Sequence, residues 1–378
     1  VVEKVHPELQ ERGHGAHTNA DPGAHTNADP ASIDHFIRAH PKGHFMQSPQ
    51  WSACKNEWAG DIVVSTDENG NIKGVLSLLT RKMPLFGLTK MYAPRGPVCD
   101  PLDEDTLTDL LTQARQIAKK HRSYSLMIDP DIPIENTAFT ALMRRLGCQV
   151  NDQIKGFDGV QPHFVFRLNI ADRTEEELLK SFEKQTRKNI GRAQRFGVTA
   201  RIADRSELPA FCDLVAQTGE RKTFTTRTLE YFTQMYDLFA PNDMRLYLME
   251  YEGTLLAGAL IMCYGDKIWS LYSGTANIHR DKNAAYLMRW ETIRWGKERG
   301  CRIYDLMGVP GVVSADDPLY GLYSFKKGFA GDLIEFAGEF TLVFRPLSHF
   351  LLETAIKAYQ KLRKTLQKLS KHLKNTPQ

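Results

Sequence analysis

One local pattern occurs twice in this chain and restricts its fold more than any other feature. Asp61 to Thr66 has strand character, Asn69-Gly70 supplies a tight turn, and Gly74 to Leu79 returns. Asn-Gly between two apolar runs signals a hairpin, because both residues tolerate the positive φ such a turn needs. A third strand near Leu88 to Ala93 leads through Arg95-Gly96-Pro97 to a helix at about Asp105 to His121. Tyr124 to Ile128 is then a strand that ends on Asp129-Pro130. The second half repeats this order. Met244 to Tyr251, a Glu252-Gly253 turn, Leu255 to Tyr264 and Lys267 to Ser273 form a meander. Ala284 to Arg299 is a helix closed by Gly300, and Arg302 to Tyr304 is a strand ending on Asp305.

An antiparallel meander, a helix and one further strand is the core order of the GCN5-related N-acyltransferase (GNAT) fold. The chain therefore reads as an α/β (α+β) protein of two tandem GNAT-like domains with a cleft between them. The expected boundaries are 31–168 plus a returning strand at 337–348 for the first domain, and 169–336 for the second. Residues 1–30 read as a disordered leader, since Gly15 to Pro22 recurs at once as the identical octapeptide Gly23 to Pro30, too polar to bury anything. Order is expected near Ser32, with a short helix from Asp34 to His40.

Between the halves, Thr174-Glu175-Glu176-Glu177 is a capping box opening a helix expected to run to about Phe196. Lys184, Arg187, Lys188, Arg192 and Arg195 share one face of it. That face is either a solvated surface or a track for nucleic-acid phosphates. From His349 to Lys374, Leu352, Ile356, Tyr359, Leu362, Leu366, Leu369 and Leu373 form one side of a last helix whose other side is basic. It suits a helix docked on the protein or one lying on an anionic membrane.

Charge and cysteine usage narrow the function. The net charge is +4, but seven Lys/Arg and no acid lie from Lys357 onward, leaving about −3 for the rest. This is not a uniformly cationic binder of DNA. Six cysteines without a C-x-x-C pair argue against a zinc site or a disulfide scaffold. No apolar run approaches the ~20 residues that span a bilayer, and no secretory signal is present, so a cytoplasmic enzyme is expected.

The acyl donor must be argued from the site rather than the fold. Acyl-CoA enzymes of this fold cradle a pyrophosphate with a Q/R-x-x-G-x-G/A loop at a helix N-terminus. Here that loop is Arg280-Asp281-Lys282-Asn283-Ala284-Ala285, with asparagine for the first glycine and an added aspartate. Its counterpart, Asp100-Pro101-Leu102-Asp103-Glu104-Asp105, would repel a phosphate. Neither half suits CoA, and no cofactor is expected.

Six stretches in register carry a resemblance: Gln47 to Trp58, Ala93 to Val98, Tyr124 to Asp129, Arg227 to Phe232, Lys267 to Gly274 and Phe325-Lys326-Lys327-Gly328-Phe329. Together they resemble the Fem family of aminoacyl-tRNA-dependent transferases that build peptidoglycan cross-bridges, most closely the compact FemX type without a long helical arm. The resemblance covers about residues 34 to 345. It implies transfer of Gly, Ala or Ser from aminoacyl-tRNA to the side-chain amine of the third stem-peptide residue of a peptidoglycan precursor, either lipid II or UDP-MurNAc-pentapeptide. It further implies that Lys55 and Arg227 hold the precursor's phosphates and that Tyr124, Tyr231 and Tyr272 line the peptide channel. Asp129 would sit near the reacting amine, and Phe325 and Lys326 would serve the tRNA acceptor end and the transition state. Lys327 is left without a role.

Each residue also has a plainer reading. Tyr124 and Tyr272 could be ordinary strand aromatics, Asp129 a strand cap, Lys55 a solvated lysine, and Arg227 a partner of Glu230. The stretch Asp316 to Phe329 could be a buried turn with lysines reaching solvent. Two functional rivals stand beside the Fem reading: another GNAT-fold acyltransferase, such as one moving amino acids from tRNA to proteins, and a non-catalytic membrane-surface protein.

Overall fold

The computed structural model describes residues 28–359 except Asn56, residues 84–86 and Thr223. The leader before residue 28 and the helical stretch after residue 359 lie outside the described residues.

Two seven-stranded sheets organise the chain. The first contains β1 (Ala59–Thr66), β2 (Ile72–Lys82), β3 (Thr89–Arg95), β4 (Val98–Cys99), β5 (Ser123–Pro130), β6 (Cys148–Asn151) and the late strand β14 (Glu339–Val343). The second contains β7 (Phe164–Asn169), β8 (Thr199–Ala203), β9 (Met244–Tyr251), β10 (Thr254–Tyr264), β11 (Lys267–Thr275), β12 (Ile303–Val309) and β13 (Asp332–Glu335). Their orders are β1-β2-β3-β5-β14-β6, with β4 on β2, and β13-β7-β12-β11-β10-β9-β8. Because β7 pairs with β12 and β13, residues 164–168 belong to the second sheet rather than the first, as the expected boundary had it.

Both hairpin turns take the backbone their sequences require. Gly70 has φ +83°, and Glu252 and Gly253 have φ +49° and +74°. In each half one pairing is parallel, and the two differ in a way that matters for the site. β3 stays paired with β5 from Thr89 to Arg95. β11 meets β12 only through Lys267–Trp269 and Ile303–Asp305, after which the strands part into a fork.

The helices are α1 (Pro30–Ala39), α2 (Pro49–Cys54), α3 (Glu104–His121), α4 (Thr137–Arg145), α5 (Glu175–Ser181), α6 (Lys184–Arg195), α7 (Leu208–Lys222), α8 (Leu229–Phe239), α9 (Ala284–Glu298), α10 (Tyr320–Lys327) and α11 (residues 346–359). Order begins slightly earlier than expected, because the second octapeptide ends in a helix start. Asp29 caps α1 by accepting from the N–H groups of Ala31 and Ser32, and Pro30 occupies the first turn.

The helix expected from Thr174 to Phe196 is two helices. The capping box is present, but Phe182 is extended (φ −65°, ψ 152°) and separates α5 from α6. No glycine or proline marks the break. Phe182 turns inward against Phe329 and Trp290, and the Glu183 N–H donates to the Gly328 carbonyl at 2.9 Å. Burial of one aromatic outweighs continuation of the helix.

Each half has its own core, α3 and α4 on the first sheet and α6 and α9 on the second. A third core joins them: Ile33, Phe45 and Trp51 pack with Val75 of the first sheet and Leu260, Trp269 and Tyr272 of the second. The base of the expected cleft is therefore filled. Charge fixes the same junction, with Arg38 bidentate on Asp243 at 2.9 and 2.6 Å and Arg167 bridging Asp131 (2.6 Å) to Asp305 (2.9 Å).

α11 docks on the first sheet. Leu352 is buried against Tyr124 and Leu88, and Glu353 accepts from Lys90 Nζ at 2.7 Å and Tyr124 OH at 2.9 Å. Among the described residues, no helix is long and apolar enough to cross a membrane.

Candidate active site

Four of the five expected substrate-binding residues converge. α2 ends at Cys54, so Lys55 is a helix cap with non-helical backbone. From there Lys55 Nζ lies 4.4 Å from the Trp51 ring centre and donates to Tyr231 OH at 3.2 Å. Tyr272 OH donates to the same phenol oxygen at 3.2 Å. Arg227 lies over the Tyr231 ring at 4.7 Å. The local sequence explains this placement. Thr228 caps α8 by accepting from the Tyr231 N–H, so Arg227 stands just outside the helix while Tyr231 sits in its first turn. Two cations beside a helix N-terminus favour a phosphate-class anion.

Tyr124 is elsewhere. It is fully buried beneath α11, with Leu88, Leu352 and His349 as neighbours and Glu353 as its hydrogen-bond partner. The expected place in a peptide channel is corrected: this tyrosine anchors the last helix. The tyrosine bonded to Asp129 comes from the neighbouring strand. Tyr92 OH donates to Asp129 Oδ2 and the Arg95 N–H to Oδ1, both at 2.9 Å. Burial pushes the Asp129 carboxyl up to about 7, against the opposing pull of Arg95 and these two hydrogen bonds. An aspartate with that proton affinity can exchange a proton near neutral pH.

The stretch around Gln47 is scaffold for this corner. Gln47 Nε2 donates to the Pro94 carbonyl at 2.7 Å and its Oε1 accepts from the Ser77 N–H at 2.8 Å, tying β2 to the end of β3. A Cβ on Gly96 would lie 2.6 Å from the Gln47 side chain, so a larger residue there would push the amide off its two hydrogen bonds.

Lys326 is not in a turn but in the last turn of α10, 5% exposed, and Nζ donates to the Gly308 carbonyl on β12 at 2.8 Å. Burial pushes its pKa down to about 7; the Arg289 charge adds to this and Asp305 opposes it. Phe325 packs on Tyr286 (4.9 Å) and Phe329 (5.4 Å), closing the apolar side of α10. Lys327 lies 5.9 Å from the Tyr323 ring.

Arg289 was not legible as a site residue. It is 3% exposed on α9, donates to Ser270 Oγ and to Tyr304 OH (3.0 Å), and its Nε is buried without a hydrogen-bond partner. It lies on the same face of the β11–β12 fork as Lys326. A chain of contacts connects the lysine's corner to the carboxyl's: Arg95 and Arg167 stand 4.3 and 5.1 Å from the Phe336 ring, and Arg167 reaches Asp305. A cavity of about 10 Å³ lies among these groups, bordered by His44, Arg95, Arg167, Trp269, Asp305 and Phe336.

The basic residues of α6 are all exposed. Arg187 is drawn aside, donating to the Lys180 carbonyl at 2.8 Å and to that of Phe182 across the helix break. Arg192 lies 5.3 Å from the Phe196 ring. Among the described residues, no carboxylate lies within ion-pair distance of Lys184, Lys188, Arg192 or Arg195. At the CoA-loop position, Asn283 adopts φ +59° and α9 has no side-chain cap; Lys282 turns to the Phe196 and Tyr251 rings at 4.0 and 4.7 Å. In the first half the Asp103 carboxylate, paired with Lys73 at 2.6 Å, occupies the N-terminus of α3.

Two mixed sheets, each an antiparallel meander followed by a helix and a parallel strand, define a tandem GNAT-like fold, the fold of acyltransferases. The chain belongs to the FemAB family, whose sequence model matches residues 29–253 and 249–357. It is 29% identical over 408 aligned positions to the lipid II:glycine glycyltransferase of Staphylococcus epidermidis (strain ATCC 35984), covering 90% of this chain and 97% of that one. It is 28% identical over 414 positions to the enzyme of the same description from Staphylococcus aureus (strain USA300), with the same coverage. The crystal structure of FemX superposes with a TM-score of 0.82 at 26% identity, over 87% of this chain and 99% of FemX.

Proposed function

We propose that this aminoacyltransferase of peptidoglycan synthesis moves an amino acid from aminoacyl-tRNA to the side-chain amine of the third stem-peptide residue of a cell-wall precursor. Glycine is the favoured amino acid and lipid II the favoured acceptor, because the relatives carry both in their descriptions. The observation that carries the acceptor reading is the cluster of Lys55, Arg227, Tyr231 and Tyr272, which suits a diphosphate. The exposed cations of α6 would meet the tRNA backbone.

The ester on charged tRNA is already activated. The acceptor amine attacks its carbonyl carbon and passes a proton to Asp129. The oxygen of the tetrahedral intermediate takes the negative charge, which Lys326 stabilises from its buried position. Collapse expels the terminal ribose oxygen, which takes the proton held by Asp129 and leaves as the hydroxyl while the new amide forms. Phe325 helps keep water from the ester. Holding both substrates at the junction contributes up to roughly 7–11 kcal/mol in well-oriented systems.

Arg227→Ala tests the acceptor site. A charge-assisted hydrogen bond is worth roughly 1.5–3 kcal/mol, so precursor affinity should fall about tenfold or more. An analogue lacking the phosphates should be nearly indifferent to the change. Equal losses for both ligands would remove Arg227 from the phosphate site.

A further inference from the structure

Helix α11 carries two apolar faces, and among the described residues only one is covered. Leu352, half-buried Ile356, His349 and Glu353 face the first sheet. On the opposite side Leu347, Phe350 and Leu351 are 82%, 69% and 59% exposed. They are spaced i, i+3 and i+4, and the same side continues through Thr354, Ala355 and Ala358 without a charge. Single exposed apolar residues need no explanation, but three adjacent large ones on a helix held rigidly by a buried leucine and an ion pair do. Of the amphipathic side recognised in the sequence, Leu352 and Ile356 face the first sheet, so Leu347, Phe350 and Leu351 are a separate feature.

The surrounding charge indicates what covers it. Arg345 precedes the helix, and from Lys357 the sequence has seven Lys/Arg and no acid. An apolar edge bordered by cations matches the bilayer surface, where acyl chains lie beneath anionic headgroups. A protein groove would meet the apolar residues but not the one-signed charge. We propose that Leu347, Phe350 and Leu351 insert into the interfacial layer of an anionic membrane, so that α11 seats the enzyme on the surface that carries its acceptor. This deepens the lipid-linked reading of the acceptor and rests on it for its purpose, but not for its test.

The full chain is sedimented with vesicles of zwitterionic lipid and with vesicles containing anionic lipid, beside the triple variant Leu347→Ser/Phe350→Ser/Leu351→Ser. Burying a Leu or Phe side chain is worth about tenfold in partitioning, and each basic residue near an anionic surface about fivefold. The wild type should prefer anionic vesicles and keep a residual, salt-resistant association. The variant should lose about a thousandfold and retain nothing at high salt, with an unchanged melting temperature and unchanged turnover of a soluble acceptor. As a second reading, the indole introduced by Phe350→Trp should shift its emission to the blue on vesicle addition. Equal partitioning of variant and wild type, or an emission indifferent to vesicles, would overturn the proposal. So would a concentration-dependent dimer that the triple variant abolishes, since the face would then join two copies of this chain. Neither tRNA nor precursor is present, so insertion can succeed where transfer fails, and the two readings fall separately.

Discussion

Lys326→Met should slow transfer by about 10²–10³ in kcat, or about 2.7–4 kcal/mol, the usual effect of removing one oxyanion donor. Precursor binding should barely change, because Lys326 lies in α10 while the cations proposed for the phosphates cap α2 and precede α8. Folding should survive. The folded pKa of Lys326, about 7, lies below its unfolded value, so between about 7 and 10.5 the unfolded chain holds the extra proton and stability rises with pH. Below that window the native state carries a buried charge at a cost, which methionine removes. A kinetic loss without a stability loss is therefore the expected signature. Lys327→Met is the mild control.

The pH dependence separates the lysine from the carboxyl. Asp129 must be ionised to accept a proton and Lys326 protonated to stabilise the oxyanion, and both titrate at about 7. The kcat/KM profile should be a narrow bell. Asp129→Asn should flatten its acid limb and Lys326→Met its alkaline limb. Arg289→Met removes the like charge facing Lys326 and should move the alkaline limb upward. If Asp129→Asn is the more damaging change and higher pH restores it, the carboxyl rather than the lysine dominates the chemistry.

The second large effect concerns folding. Arg167→Met should destabilise by about 3–5 kcal/mol, because breaking one member of a buried ion network strands the others. Asp131 and Asp305 are 4% and 2% exposed, and both depend on this guanidinium. Arg167 holds the Asp131 carboxyl well below the usual range against the cost of burial. Its stabilising contribution is thus present above the unfolded pKa and lost as pH falls through the lower folded one. Without Arg167 the sign reverses, and mild acid should narrow the gap between variant and wild type. Adding Asp131→Asn to Arg167→Met should recover part of the loss. Denaturant midpoints across pH check both statements; a variant as stable as wild type at pH 7 would mean the junction does not depend on this network.

Much of the architecture was legible because its signals are local. Asn69-Gly70 and Glu252-Gly253 fix both hairpins, and short apolar runs mark the strands around them. Lys55, Arg227, Tyr231 and Tyr272 were recognisable from motifs and do converge. What stayed hidden depends on tertiary contact. Tyr124 and Tyr92 both occupy strands buried on both faces, where alternation cannot tell which phenol meets Asp129 and which lies under a helix. The break at Phe182 carries no breaker residue; distant aromatics make it. The Arg167 network joins positions 36 and 138 residues apart. Arg289 sits in a helix whose inward residues, Thr292 apart, are apolar or small, and nothing in its neighbours marks it as buried.

The central claim is transfer itself. The purified chain would be incubated with tRNA charged with glycine, alanine or serine and with lipid II or the soluble muramyl pentapeptide, and the acceptor weighed by mass spectrometry. The expected result is an acceptor heavier by one amino-acid residue on its third-position amine, with tRNA deacylated only when the acceptor is present. An acceptor unchanged in mass across every charged tRNA, under conditions where a staphylococcal relative modifies it, would contradict the assignment.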